Sequence, residues 1–153
     1  MIHWRHAVAP LFLGTGLVLG CQGAFAQDGI SCGGLSIVSL EPSDISSQID
    51  GELATFSFDL AATIENVSGQ SWSAASPLNL LIASGGETLE VTDLTELAPG
   101  AQLSVKAEVE DWSPYSNPGF VAAIVAPGGE IASEGACSRS INGTELEQLL
   151  RGH

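Results

Sequence analysis

The chain has 153 residues, with 18 Asp and Glu against 4 Lys and Arg and a formal net charge of −14. A surface this acidic repels phosphate backbones, which excludes nucleic acid as a partner, and it is equally repelled by anionic lipid. Three histidines, three cysteines and a single methionine, Met1, leave little from which to build a copper or zinc centre.

The chain opens on a targeting segment. His3, Arg5 and His6 give a weakly positive start, Ala7 to Leu19 is apolar, and Ala24-Phe25-Ala26 precedes polar Gln27-Asp28. This order predicts a signal peptide over 1–26. The apolar run, about 13 residues, is short of the roughly 20 that span a bilayer. No later segment reaches that length, so no membrane insertion is expected after leader removal. Val18-Leu19-Gly20-Cys21 offers an alternative, a lipobox-like site at which Cys21 would be lipidated and the chain tethered to the envelope. Ala-x-Ala is the better signal, so the expected location is the periplasm or the extracellular space. Either cleavage leaves Cys32 and Cys137 in the folded part. An even pair in an oxidising compartment implies one disulfide.

Beyond the leader the dominant period is two. Leu35 to Leu40 reads as an opening strand after the Cys32-Gly33-Gly34 turn. Thr55 to Asn66 places Phe56, Phe58, Leu60, Ala62 and Ile64 on one face, with Thr55, Ser57, Asp59, Thr63 and Glu65 on the other. Such alternation marks a strand with one dry side. Leu78 to Ala83 is a continuous apolar run, as a central strand would be, and Ser84-Gly85-Gly86-Glu87 reads as a hairpin turn. Thr88 to Thr92 is expected to return with Leu89 and Val91 inward. Gln102 to Glu110 alternates again, with Leu103, Val105, Ala107 and Val109 inward. Phe120 to Ala126 is apolar on both faces, and Pro127-Gly128-Gly129 turns it into a last strand over Glu130 to Ile141.

About seven strands with frequent turn signals predict an all-β fold, an immunoglobulin-like antiparallel sandwich over 27–141. The tail, 142–153, changes period. Thr144 with Glu147 three residues later suggests a capping box, opening a short helix through Leu150 whose leucines would dock on the sandwich.

Three stretches are similar to those of bacterial CARDB-type domains, the immunoglobulin-like modules related to cell-adhesion domains. They are Thr63-Ile64-Glu65-Asn66-Val67-Ser68-Gly69, Leu97-Ala98-Pro99-Gly100-Ala101 before an alternating strand, and Asn117-Pro118-Gly119-Phe120-Val121-Ala122-Ala123-Ile124-Val125. Together they span about residues 35 to 135 in the family's order. The acidic, Asn-rich closing segment of that family is absent, and a disulfide is not one of its general features. The resemblance implies a non-enzymatic spacer or interaction module.

Catalytic chemistry finds few candidates. The one histidine after the leader is His153, the last residue, so Ser–His and Cys–His schemes lack a base. Lys106 lies among glutamates on a wet strand face and reads as a surface charge. Glu108, Glu110 and Asp111, or Asp50 and Glu52, could hold Ca²⁺ weakly, but neither group has the spacing of an EF-hand loop. No catalytic residue, metal site or cofactor is therefore assigned. A carboxylate pair acting as a hydrolase is a remote alternative.

Aromatic side chains are the better lead to a ligand. Trp112 and Tyr115 share the Asp111–Gly119 loop, and Trp72 lies in the Ser68–Pro77 loop. Exposed, they could stack on a sugar ring; buried, they would plug the ends of the core. The sequence reading is thus an exported, non-catalytic module acting on an unidentified protein partner or as a structural piece, with carbohydrate binding through these aromatics as the alternative. Asn66-Val67-Ser68 and Asn142-Gly143-Thr144 match the N-glycosylation pattern, which turn chemistry accounts for equally well.

Overall fold

The computed structural model describes residues 33–73, 77–129, 131 and 137–153. The predicted leader with Cys21, and Cys32, lie outside them, as does most of the stretch predicted as the beginning of the last strand.

Seven strands and one helix follow in order: β1 Leu35–Asp50, β2 Leu53–Asn66, β3 Leu78–Ser84, β4 Glu87–Leu94, β5 Gln102–Trp112, β6 Phe120–Val125, β7 Ser138–Ile141 and α1 Gly143–Arg151. They form two antiparallel sheets, β1-β2-β5 and β4-β3-β6-β7. The fold is an immunoglobulin-like sandwich in which the fourth strand pairs with the third, where a constant-type domain pairs it with the fifth.

The alternation seen in the sequence decides the interior. Phe56, Phe58, Leu60, Ala62 and Ile64 of β2 are all buried, beside Val105, Ala107 and Val109 of β5. The register sets Leu60 against Ala107 and Ala62 against Val105. Facing them, β3 and β6 contribute Leu80, Ile82, Phe120, Ala122 and Ile124. Each large side chain fully buried here contributes about 1.5–3 kcal/mol relative to exposure.

The structure corrects several expectations. The first strand runs to Asp50, well beyond Leu40. Pro42 does not stop it, because β1 is a sheet edge, where a missing N–H costs no ladder bond. The strand absorbs register shifts between Ile37 and Ser39 and between Ser43 and Ser46, with Asp44 at φ 52° in the second.

β4 is turned the other way from the prediction. Val91 pairs with Leu81 on the outer face of its sheet, while Glu90 and Thr92 pair with Ile82 and Leu80 on the core side. The glycine turn and a register shift between Ile82 and Ala83 set this phase. Since β4 is an edge strand, its core-side positions can stay polar, and the Thr92 hydroxyl donates to Glu90 Oε1 at 2.9 Å. The outer face of this sheet is apolar in turn. Leu81, Ala123 and Val125 are buried there against Ile131.

The helix docks as expected, with Leu146 and Leu150 in the main core. Its cap differs from the prediction. Asn142, not Thr144, is the N-cap and accepts from the Glu145 N–H at 2.9 Å. Glu147 instead accepts from Arg151, four residues on, at 2.8 Å. The first helical position has room for glycine alone, because any side chain on Gly143 would run into Asn117.

Candidate functional site

β2 and β5 are antiparallel neighbours, so their far loops fall at opposite ends of the sandwich. Trp72 sits at one end and Trp112 with Tyr115 at the other.

The structure separates Trp112 from Tyr115. Trp112 closes β5 at 4 % exposure, its ring against Phe56 and Phe58 at centroid distances of 6.2 and 6.5 Å. Its Nε1–H donates to the Pro118 carbonyl at 3.0 Å. An indole whose ring and N–H are both engaged offers no face to a sugar. Tyr115 is 71 % exposed, and its hydroxyl donates to the Glu52 carbonyl at 3.2 Å, pinning it to the β1–β2 turn. Trp72 is half-buried and bridges to Leu97 through paired backbone bonds of 2.9 and 3.0 Å. It borders an apolar cavity of about 90 Å³ with Leu35, Ile64 and Leu97. That volume is below the roughly 300 Å³ at which small-molecule pockets begin.

Asn66 organises this end. It is 1 % exposed and its Nδ2 donates to the carbonyls of Gln70 and Leu97 at 2.6 and 2.8 Å. Its Oδ1 accepts from the Ser68 N–H and hydroxyl at 3.0 and 2.7 Å. Every polar atom of the carboxamide is thus bonded, and a glycan could not be attached to it in the folded chain. Its glycosylation pattern is turn chemistry.

On the outer face of the three-stranded sheet, Lys106 bonds Asp44 at 2.9 Å and Asp59 at 3.1 Å, joining all three strands. It is a paired charge, where the sequence suggested a merely solvated one. The Lys106 hydrogen bond holds the Asp44 carboxyl below its ordinary range, and Asp44, then Asp59, raise the ammonium. Glu108 and Glu110 are exposed on β5. No three His, Cys, Asp or Glu converge to hold a metal among the described residues.

A concavity of about 720 Å³ lies on the outer face of the four-stranded sheet, lined by Leu81, Ala83, Val121, Ile131 and the glycine turn. Among the described residues, its walls carry no titratable side chain. Cys137 is buried beside the start of β7, and Arg139 donates to the Val38 carbonyl at 2.9 Å, so the first residues of β1 and β7 lie side by side.

Sequence reasoning missed the free end of the β1–β2 ribbon. Residues 46 to 53 are all exposed, including Ile49 at 78 % and Leu53 at 55 %. The Asp50-Gly51 dipeptide, a strong short-range hairpin signal, could have located its turn; Gly51 adopts φ 65° there. No protein-family model, curated protein or solved structure matches the chain.

Proposed function

We propose that this chain is an exported, non-catalytic immunoglobulin-like module that works by protein–protein contact or as a structural piece of an envelope or extracellular assembly. One observation carries the reading. Four large apolar side chains, Ile49, Leu53, Leu89 and Val91, are exposed on strands β1, β2 and β4 rather than on turns. Apolar surface exposed on strands is what partner recognition uses.

The CARDB-type resemblance points the same way, since such modules act as spacers or contact domains. A Cys32–Cys137 disulfide belongs to the proposal. It is supported by the burial of Cys137 and by the proximity of the strands that follow the two cysteines. The oxidising compartment that such a bond needs agrees with the leader.

Cross-linking in the native envelope fraction, run beside a glycan array, tests the reading. A discrete cross-linked protein species and a silent array are expected. Saturable glycan binding that disappears in Tyr115→Ala would replace the proposal with the carbohydrate reading.

A further inference from the structure

Strand addition needs an edge that is regular, uncovered and distinctive in its side chains. Four edge stretches compete. β4 carries a register shift between Ile82 and Ala83, and bulges twist an edge away from pairing. β5 presents Lys106 in mid-strand, already committed to Asp44 and Asp59. β7 is four residues long and sits beside β1.

β1 differs along its length. Its first half is flanked, since Leu40, Glu41 and Pro42 border a concavity shared with Ile141 and the α1 residues Glu145 and Leu149. Its second half, Ser46–Asp50, pairs with Ser57–Leu53 without a shift and is the outermost strand of its sheet. β5 stops at Trp112, opposite Phe56, so the ribbon projects as two strands alone. A lone two-stranded ribbon is marginal in water, and this one leaves Ile49 almost fully exposed.

We propose that the edge Ser46–Asp50 takes up an extended segment of a partner protein by strand addition, a segment alternating apolar residues with Lys or Arg. The inference rests on the reading of the chain as a contact module and names the partner class. Ile49 asks for an apolar neighbour on one face. Asp50 is on the other face, with Glu52 in the turn beside it. The described cations are engaged elsewhere: Lys106 and Arg151 in ion pairs, Arg139 on the Val38 carbonyl. The complementary charge must come from outside. A second copy would bring more carboxylates to this edge, and like charges across a strand pair are destabilising.

The probe is a synthetic peptide of alternating Leu and Lys, titrated into ¹⁵N-labelled, oxidised protein, with Leu/Glu and Ser/Lys peptides as controls. Amide shifts are expected at residues 46–53 and at Tyr115, with Leu/Lys alone. Ile49→Ser and Asp50→Asn should each weaken binding about fivefold or more. Raising salt from about 0.05 to about 0.5 M should weaken it further, as screening shortens the reach of Asp50 and Glu52. Shifts centred on β4 or β5, equal binding by Leu/Glu, absence of binding, or self-association through the ribbon would each overturn the site. None of these outcomes removes a cross-linked envelope partner, so failure of the site and failure of the module reading are distinguishable.

Discussion

The side-chain amide of Asn66 donates to the Leu97 carbonyl at 2.8 Å and ties the exit of β2 to the connection between β4 and β5. The backbone reinforces the tie, because Gly100 N–H donates to the Asn66 carbonyl at 2.9 Å and Asn66 N–H to Ala101 at 3.1 Å. One residue thus joins an end of the three-stranded sheet to the chain arriving from the other sheet.

Asn66→Ala is expected to destabilise the fold by about 2 kcal/mol, since it removes from a buried position two donated bonds, to Gln70 and Leu97, and the acceptor of the Ser68 N–H, although each carbonyl keeps a second donor, Ser68 Oγ and Trp72 N–H. Asn66→Asp should be no milder, because a carboxylate would face those carbonyls and cannot donate. Denaturant unfolding of the two variants measures this. A loss well under about 1 kcal/mol in both would show that the remaining bonds to Gln70 and Leu97 hold this end without the Asn66 amide.

The helix cap gives a contrast between neighbours. Asn142→Ala should cost about 1 kcal/mol, and Thr144→Ala only a few tenths. Leu146→Ala, in the core, should cost about 2–5 kcal/mol. If Thr144→Ala proves the more damaging of the two cap variants in thermal unfolding, the helix starts where the sequence motif suggested.

The Lys106 cluster makes a signed pH prediction. Asp44 titrates below its ordinary value of 3.8, so its contribution is complete above that value and fades as pH falls through the lowered one. Lys106 titrates above 10.5, so its share is complete below that value and is lost as pH rises through the raised one. The groups are exposed, and exposed pairs contribute little at neutral pH. In Lys106→Met, a ¹³C titration of the Asp44 carboxyl should show it returning upward toward its ordinary value. An unmoved titration would mean that the ion pair does not persist in solution.

The proposed Cys32–Cys137 bond closes a loop of about 100 residues, and by the chain-entropy estimate its reduction should lower stability by up to about 4.7 kcal/mol. Non-reducing peptide mapping should recover the two cysteines in one linked fragment. Recovery of both as free thiols from protein purified under non-reducing conditions would rule the bond out.

The alternation of Thr55–Asn66 and Gln102–Glu110 was enough to place β2 and β5, because a two-residue period leaves no other way to give each strand one dry side. The doubly apolar β6 was legible for another reason, as a short apolar run ended by the Pro127-Gly128-Gly129 turn. The sequence placed Trp112 and Tyr115 together in the Asp111–Gly119 loop, yet could not say that Trp112 ends β5 in the core and Tyr115 lies on the surface. A single residue of offset at a strand end decides that, and here the indole N–H found Pro118.

What the sequence determined alone is the pattern of wet and dry along each strand, which is a local property of side chains. Which dry face meets which neighbour was left to the tertiary structure. Val91 is as apolar as an inward residue, but the register from the Gly85-Gly86 turn carries it to the outer face, 52 % exposed. β1 likewise continues past Pro42 because none of the described strands pairs with its outer edge. Sidedness and edge status are relations between strands, so they become physical facts only once the sheets are assembled.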